Sequence, residues 1–213
     1  MTFAATDVNR FMDNARVSMP GALDGAIQQA FFNALTEFCD RTNLWYEDIP
    51  FAVPTGAAMG DTIMLPTPVT GGIPNRLIYV IDSNEFQRKM SMPQPGVLQF
   101  GMPVDTGSTW MARVALCPTD PISTSVGTAG FPEAPAWLLP QYYKGLLSGT
   151  MSEMLMQPAK PYSNPKLAAY HMAIFRGAIS RGKTEFRHQN LYNANVWQFP
   201  QETAQMTAQK ART

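Results

Sequence analysis

Few residues in this chain could do chemistry. Two histidines, His171 and His188, and two cysteines, Cys39 and Cys117, are all it offers for proton transfer near neutral pH or thiolate attack. General acid–base work needs a titratable group within hydrogen-bond reach of a partner. Neither histidine has a cysteine or a carboxylate cluster beside it in the sequence. His171 falls on the apolar side of a helical pattern, where a packed histidine is commoner than a catalytic one. Glu47 and Asp48 are adjacent, but successive side chains of an extended segment point to opposite faces, so they make no acid–base pair. The chain contains no C-x-x-C, no H-E-x-x-H and no G-x-x-x-x-G-K-[ST]. Gly71-Gly72-Ile73-Pro74 lacks the strand–loop–helix context of a phosphate cradle, and Pro74 has no N–H to donate. A small hydrolase is the residual enzymatic reading, with Asp61, Asp105 and His171 as its best polar groups. The expectation is no enzyme, no cofactor and no metal site. Cys39 lies on an apolar helical face and Cys117 ends an apolar strand pattern, so both read as buried free thiols.

The elements around these residues follow from composition and period. With 213 residues, 45% of them hydrophobic, the chain can build one compact domain with a long appendage or two small domains. Sixteen basic and sixteen acidic residues cancel, which argues against disorder and against a generic polyanion binder. The N-terminus has no continuous apolar stretch, because Asp7 and Asp13 interrupt it, so no signal peptide is expected. No run approaches the ~20 apolar residues of a membrane span. The expectation is cytoplasmic synthesis and no membrane partner.

Thr6 or Asp7 can cap a short first helix over residues 8–16. A second helix is expected over residues 23–42, with Leu23, Ile27, Ala30, Phe31, Ala34, Leu35 and Phe38 at helical spacing; its end near Asn43 is marked only by loss of period. From Trp45 to Ser125 proline, glycine and β-branched residues take over. Strands are expected at 49–53, 62–65, 76–81, 97–100 and 110–116, separated by turn signals such as Asp82-Ser83-Asn84. The run 76–81 reads as a strand buried on both faces, whereas 110–116 alternates, with Trp110, Ala112, Val114 and Leu116 opposite Arg113. Residues 118–135 form a long polar loop.

A third helix is expected from about Pro140 to Met156. Gly145 and Gly149 share one of its faces and imply that another backbone approaches closely there, since each glycine costs about 1 kcal/mol against alanine. Met151, Met154 and Met156 read as adaptable core filler. Asn164-Pro165 is a strong helix start, opening a fourth helix to near Gln189 with Leu167, His171, Ile174, Phe175, Ala178, Gly182 and Phe186 on its apolar side. The short turn before it makes the last two helices antiparallel. Beyond it Tyr192, Trp197, Phe199 and Pro200 stand among polar residues, a pattern suited to docking on another subunit.

The ordered series PGALDGAIQQAFFNALTEFCDRTNLW, a strand ending ARVALCPT, then PAWLLPQYYKGLLSG and KPYSNPKLAAYHMAIFRGAI resembles the head-to-tail adaptor (tail tubular A-like, head-tail connector) proteins of short-tailed phages. Glu37-Phe38-Cys39-x-x-Thr42-x-x-x-Trp45 looks like the signature of their second helix; Gly149 and Pro161-Tyr162-x-Asn164-Pro165 look like that of their C-terminal hairpin. The resemblance covers about residues 8 to 187 and rests on the order and spacing of packing and capping motifs. It implies a non-enzymatic virion component of the phage neck, in a homo-oligomeric ring usually of about twelve copies. Such a ring sits between the portal and the tail tube or nozzle, and DNA passes through without sequence-specific binding. It also implies an α+β fold: a helical bundle from residues 1–45 and 135–189, an inserted small antiparallel β domain at 46–134, and an extended C-terminal docking tail at 190–213. Phe38, Gly145, Gly149 and Phe175 become the expected helix-packing residues. The alternative expectation is a β-rich binding module of a phage tail or baseplate, recognising a surface glycan or protein.

Overall fold

The structure is a computed structural model that describes residue 3 and residues 5–104, 107–119, 132 and 134–190. The fold is α+β, with four helices and two small antiparallel sheets among the described residues. Helices α1 (Ala5–Ser18) and α2 (Asp24–Thr42) precede the strands, and α3 (Leu138–Leu155) and α4 (Pro165–Asn190) come after them. One hydrophobic cluster runs from Phe3 in the N-terminal segment through the strands to Ile179 of α4.

Helix α1 is longer than its pattern suggests, and Thr6 and Asp7 lie within its first turn. Phe11 packs edge-on to Phe31 of α2, with ring centroids 4.7 Å apart, and the Arg16 guanidinium spans both Asp24 carboxylate oxygens at 2.8 and 2.9 Å. In α2 the residues from Ile27 to Cys39 at helical spacing are buried. Leu23 is not among them. It precedes the helix in an extended conformation and is 78% exposed, so the apolar stripe begins one turn later than expected. Helix α2 stops where Asn43 enters the left-handed region (φ 55°, ψ 20°) and donates its N–H to the Cys39 carbonyl at 3.0 Å. Asparagine tolerates that conformation better than most residues.

The strands are β1 (Tyr46–Val53), β2 (Thr62–Met64), β3 (Ile73–Ile81), β4 (Gln87–Arg88), β5 (Met90–Gln94), β6 (Val97–Phe100) and β7 (Ser108–Cys117). One sheet has the order β1-β7-β3-β4 and the other β2-β6-β5, with every pairing antiparallel. In β7 Trp110, Ala112, Val114 and Leu116 are buried, while Arg113 lies on the opposite face and pairs with Asp48. The expectation for 76–81 fails: only Val80 there is buried, and Arg76 is exposed. Register shifts between Pro74 and Arg76 and between Leu77 and Tyr79 bend β3 against β7. Bulges of this kind break strict alternation, so an apolar run across them need not have two buried faces. Strands β4 and β5 carry no sequence signal of their own. Pro93 suits β5 because β5 is an edge strand, and the next turn uses Gly96 at φ +75°.

Helix α3 starts at Leu138, so Pro140 falls in the first turn, where backbone N–H groups have no helical partner. Tyr142 departs from helical geometry (φ −113°, ψ 20°) and marks a kink. Met151 and Met154 are buried, whereas Met156, past the end of the helix, is exposed. Asn164 caps α4: its Oδ1 accepts the Leu167 N–H at 3.1 Å, with Pro165 as first helical residue. Tyr142 meets Glu185, Gly145 faces Ala178 and Gly149 faces Phe175, so α3 and α4 run antiparallel. The buried line on α4 is Ala168, Phe175, Ile179 and Gly182, rotated from the expected one; Leu167 is partly exposed at 38%.

Candidate functional site

The four expected packing residues meet in one seam between α2, α3 and α4. A Cβ on Gly145 would lie 2.3 Å from the Ala178 Cβ. One on Gly149 would lie 2.9 Å from the Phe175 ring and 3.0 Å from the Ala34 Cβ. Phe38 packs against Tyr142 with centroids 4.7 Å apart, and its ring closes on Gly182. At Gly145 the backbone of α4 comes close, with the Ala178 Cα 3.9 Å from the position of an added Cβ, whereas at Gly149 the space is filled by the side chains of Phe175 and Ala34.

Several of the chemistry-bearing residues have structural contacts. His171 is half-buried, its Nδ1 lies 3.4 Å from Ser148 Oγ, and burial lowers its pKa. The Asp61 carboxylate closes its own turn by accepting the Ala58 N–H at 2.8 Å. Asp105, the third group of the hydrolase reading, lies outside the described residues. Glu47 and Asp48 diverge on β1. Glu47 accepts the N–H groups of Val69 and Thr70 at 2.7 and 3.1 Å and the Thr70 hydroxyl at 2.6 Å. Asp48 takes a two-point ion pair from Arg113, both contacts at 2.6 Å. That guanidinium lies over the rings of Tyr46 and Tyr79, 4.8 and 5.0 Å from their centroids. Both cysteines are free. Burial pushes the Cys39 thiol well up and the Cys117 thiol up to about 11, so both stay protonated and poorly nucleophilic at neutral pH.

One polar cluster escaped the sequence reading beyond its turn signal. Asp82 is buried at the end of β3, and its Oδ1 accepts the Asn84 and Phe86 N–H groups at 2.8 and 2.9 Å. Its Oδ2 takes the Arg88 guanidinium, with Nε at 2.8 Å, and Arg88 in turn lies over Trp110. Burial works to raise the Asp82 pKa, but the bonds from Phe86, Arg88 and Asn84 outweigh it and hold the carboxyl below its ordinary value. An aspartate opening a turn, with an arginine six residues on, was the available signal. The cluster pins the β3–β4 turn and presents no second catalytic group.

Several clefts open on the surface. One of about 700 Å³ lies between β3 and the β4–β5 segment, with Arg76, Tyr79, Arg88 and Lys89 on its walls. Another, of about 450 Å³, opens where β1, the start of α3 and the end of α4 meet, lined by Trp45, Tyr46, Trp137 and Glu185 among others. Among the described residues no group of three or more His, Cys, Asp or Glu side chains could hold a metal ion. Among them, too, no helix is long and apolar enough to cross a membrane. The expected docking residues Tyr192, Trp197, Phe199 and Pro200 lie outside the described residues, as does most of the expected loop at 118–135. No protein-family model matches the chain, and no curated protein matches it.

Proposed function

We propose that the chain is a subunit of a head-to-tail adaptor ring of a short-tailed phage. In this reading it is a structural virion protein that joins the portal of the head to the tail tube or nozzle. It forms part of the DNA channel and catalyses nothing. The observation that carries the reading is the order of the packing motifs: helical segments at both ends of the chain, strands between them, and a polar segment with aromatics after the last helix. The packing of α2 on α3 and α4 supports it, since Phe38 and Gly149, two residues of the resembling signatures, lie at that seam. The four helices would then be one bundle forming the body of the subunit, with the strands as an insertion.

The mechanism is assembly. A closed ring needs a heterologous interface, in which each subunit offers two different faces to its neighbours. The segment after Asn190 docks on the portal through Tyr192, Trp197, Phe199 and Pro200, because aromatic anchors dominate interface energetics. A formal net charge of zero suits a conduit, since a strongly basic lumen would hold passing DNA by its phosphates. Electron microscopy of the protein mixed with portal tests the reading. Rings seated on portal are expected, and deletion of residues 191–213 should abolish portal binding while leaving the helical circular dichroism intact. A chain that stays monomeric with portal and is instead stabilised by a glycan would replace the adaptor reading with that of a binding module.

A further inference from the structure

A cleft of about 510 Å³ is lined by residues of α1, α3 and α4. Each helix brings one cation to it: Arg10, Lys144 and Arg181. Among the described residues no Asp or Glu lines it. Arg16, Arg41, Arg76, Arg88 and Arg113 each hold a carboxylate, whereas these three cations are in no ion pair among the described residues. Asp13, one turn from Arg10, is held by Arg16 at 3.0 Å. Glu185, one turn after Arg181, accepts Gln141 Nε2 at 2.6 Å and the Tyr142 hydroxyl. The two guanidiniums lie over rings instead, Arg10 at 5.2 Å from the Tyr143 centroid and Arg181 at 5.5 Å from that of Tyr142. Tyr143 is itself fixed: its hydroxyl donates to the Arg10 carbonyl at 3.1 Å and accepts Asn14 Nδ2 at 2.6 Å. A ring holds a guanidinium by its face and leaves the N–H donors along its edge for an anion.

Gly177 of α4 also lines the cleft, and packing does not account for it. A Cβ on Gly145, Gly149 or Gly182 would come within 2.9 Å of a neighbour, whereas one on Gly177 would meet nothing within 4 Å. Glycine weakens a helix interior, and here the missing side chain only keeps the cleft open. We infer that the cleft binds an oxyanion of the phosphate class, held by Arg10, Lys144 and Arg181 over the open floor at Gly177. Its volume falls within the ~300–1,000 Å³ of small-ligand sites. The chain's formal net charge is zero, so the attraction is local to these three side chains. The site does not depend on the adaptor reading.

Isothermal titration of the full-length chain with tripolyphosphate tests the site. Saturable binding that weakens as salt is raised is expected. Lys144→Gln and Arg181→Gln should each raise Kd about tenfold or more. Lys166→Gln, about 22 Å from Arg181 along α4, removes the same charge and should change Kd by less than about twofold. Gly177→Leu fills the floor, so it should weaken binding about tenfold or more while Tm stays at the parent's value or above. The inference is overturned by a lack of saturable binding, by equal losses at Lys166 and Lys144, or by a Gly177→Leu chain that binds as the parent does. A short DNA duplex added as competitor separates the sources of phosphate. Displacement of tripolyphosphate names the DNA backbone and no displacement a free phosphate, and either result upholds the site.

Discussion

Substituting Gly145→Ala tests the close approach of α3 and α4. The added Cβ would sit 2.3 Å from the Ala178 Cβ. Non-bonded carbons rest at about 3.5–4.0 Å, so the helices must separate locally by more than about 1 Å. The atom that is hit has no rotamer to escape into. Overpacking of this kind costs ~1–3 kcal/mol, set against a gain of ~1 kcal/mol from replacing a helical glycine by alanine. The contact is far inside the repulsive wall, so the upper end applies and the net loss should be about 2 kcal/mol. In a chain of this size that lowers Tm by roughly 4–8 °C. The compensating change is Ala178→Gly, because the new Cβ would then face only the Ala178 Cα, at an ordinary 3.9 Å. Alone, Ala178→Gly should cost about 1 kcal/mol in helix propensity. Together the two substitutions move one methyl across the seam and should return stability to within about 0.5 kcal/mol of the parent, a strong non-additivity. Urea denaturation followed by circular dichroism on all four proteins measures this. A neutral or stabilising Gly145→Ala, or a double variant whose losses simply add, would refute the reasoning.

Asn164→Ala removes the side-chain acceptor for the Leu167 N–H and should cost about 1 kcal/mol in the same denaturation assay, with little loss for Asn164→Ser. Gly72→Ala would place a Cβ 2.7 Å from the Trp45 ring and 2.9 Å from the Leu116 Cβ, so a loss of roughly 1–3 kcal/mol and an altered tryptophan emission are expected. The depressed Asp82 pKa makes a contribution to stability that is fully present above the ordinary value of 3.8 and fades as pH falls through the lower folded value. Melting curves from about pH 2 to about pH 6 should therefore show a shallower acid limb in Asp82→Asn than in the parent, and parallel limbs would contradict the assignment.

Local chemistry was the most legible part of the chain. The cap at Asn164 and the alternation of β7 are each decided by a few neighbouring residues; the cap stands as read, and the alternation holds up to Val114, beyond which Ala115 is buried as well. The rotation of α4 could not be read, because α3 offers two glycine gaps that α4 fills with Ala178 and Phe175, and that match exists only once the helices meet. Bulged pairing with β7 hid the one-sided character of β3 in the same way. Strands β4 and β5 owe their conformation to partners: β5 pairs with β6, and β4 touches β3 over two residues only. The Asn43 stop was readable in principle, since asparagine is the second choice after glycine at a left-handed helix end. Of the site residues, Phe38, Gly145, Gly149 and Phe175 lie together in one seam, whereas the aromatics after Asn190 belong to the stretch outside the described residues.

The antiparallel seam of α3 and α4 also has a mechanical consequence. A pull applied at the described end of α4, directed along its axis and resisted by the rest of the chain, would load the seam in shear. Ala178 against Gly145, Phe175 against Gly149 and Glu185 against Tyr142 would all have to slip together, instead of parting one after another as in peeling. Forced unfolding is governed by the unfolding rate, and close-packed contacts that must break at once keep that rate low. Under such a load the grip of the hairpin would lie in two missing methyl groups.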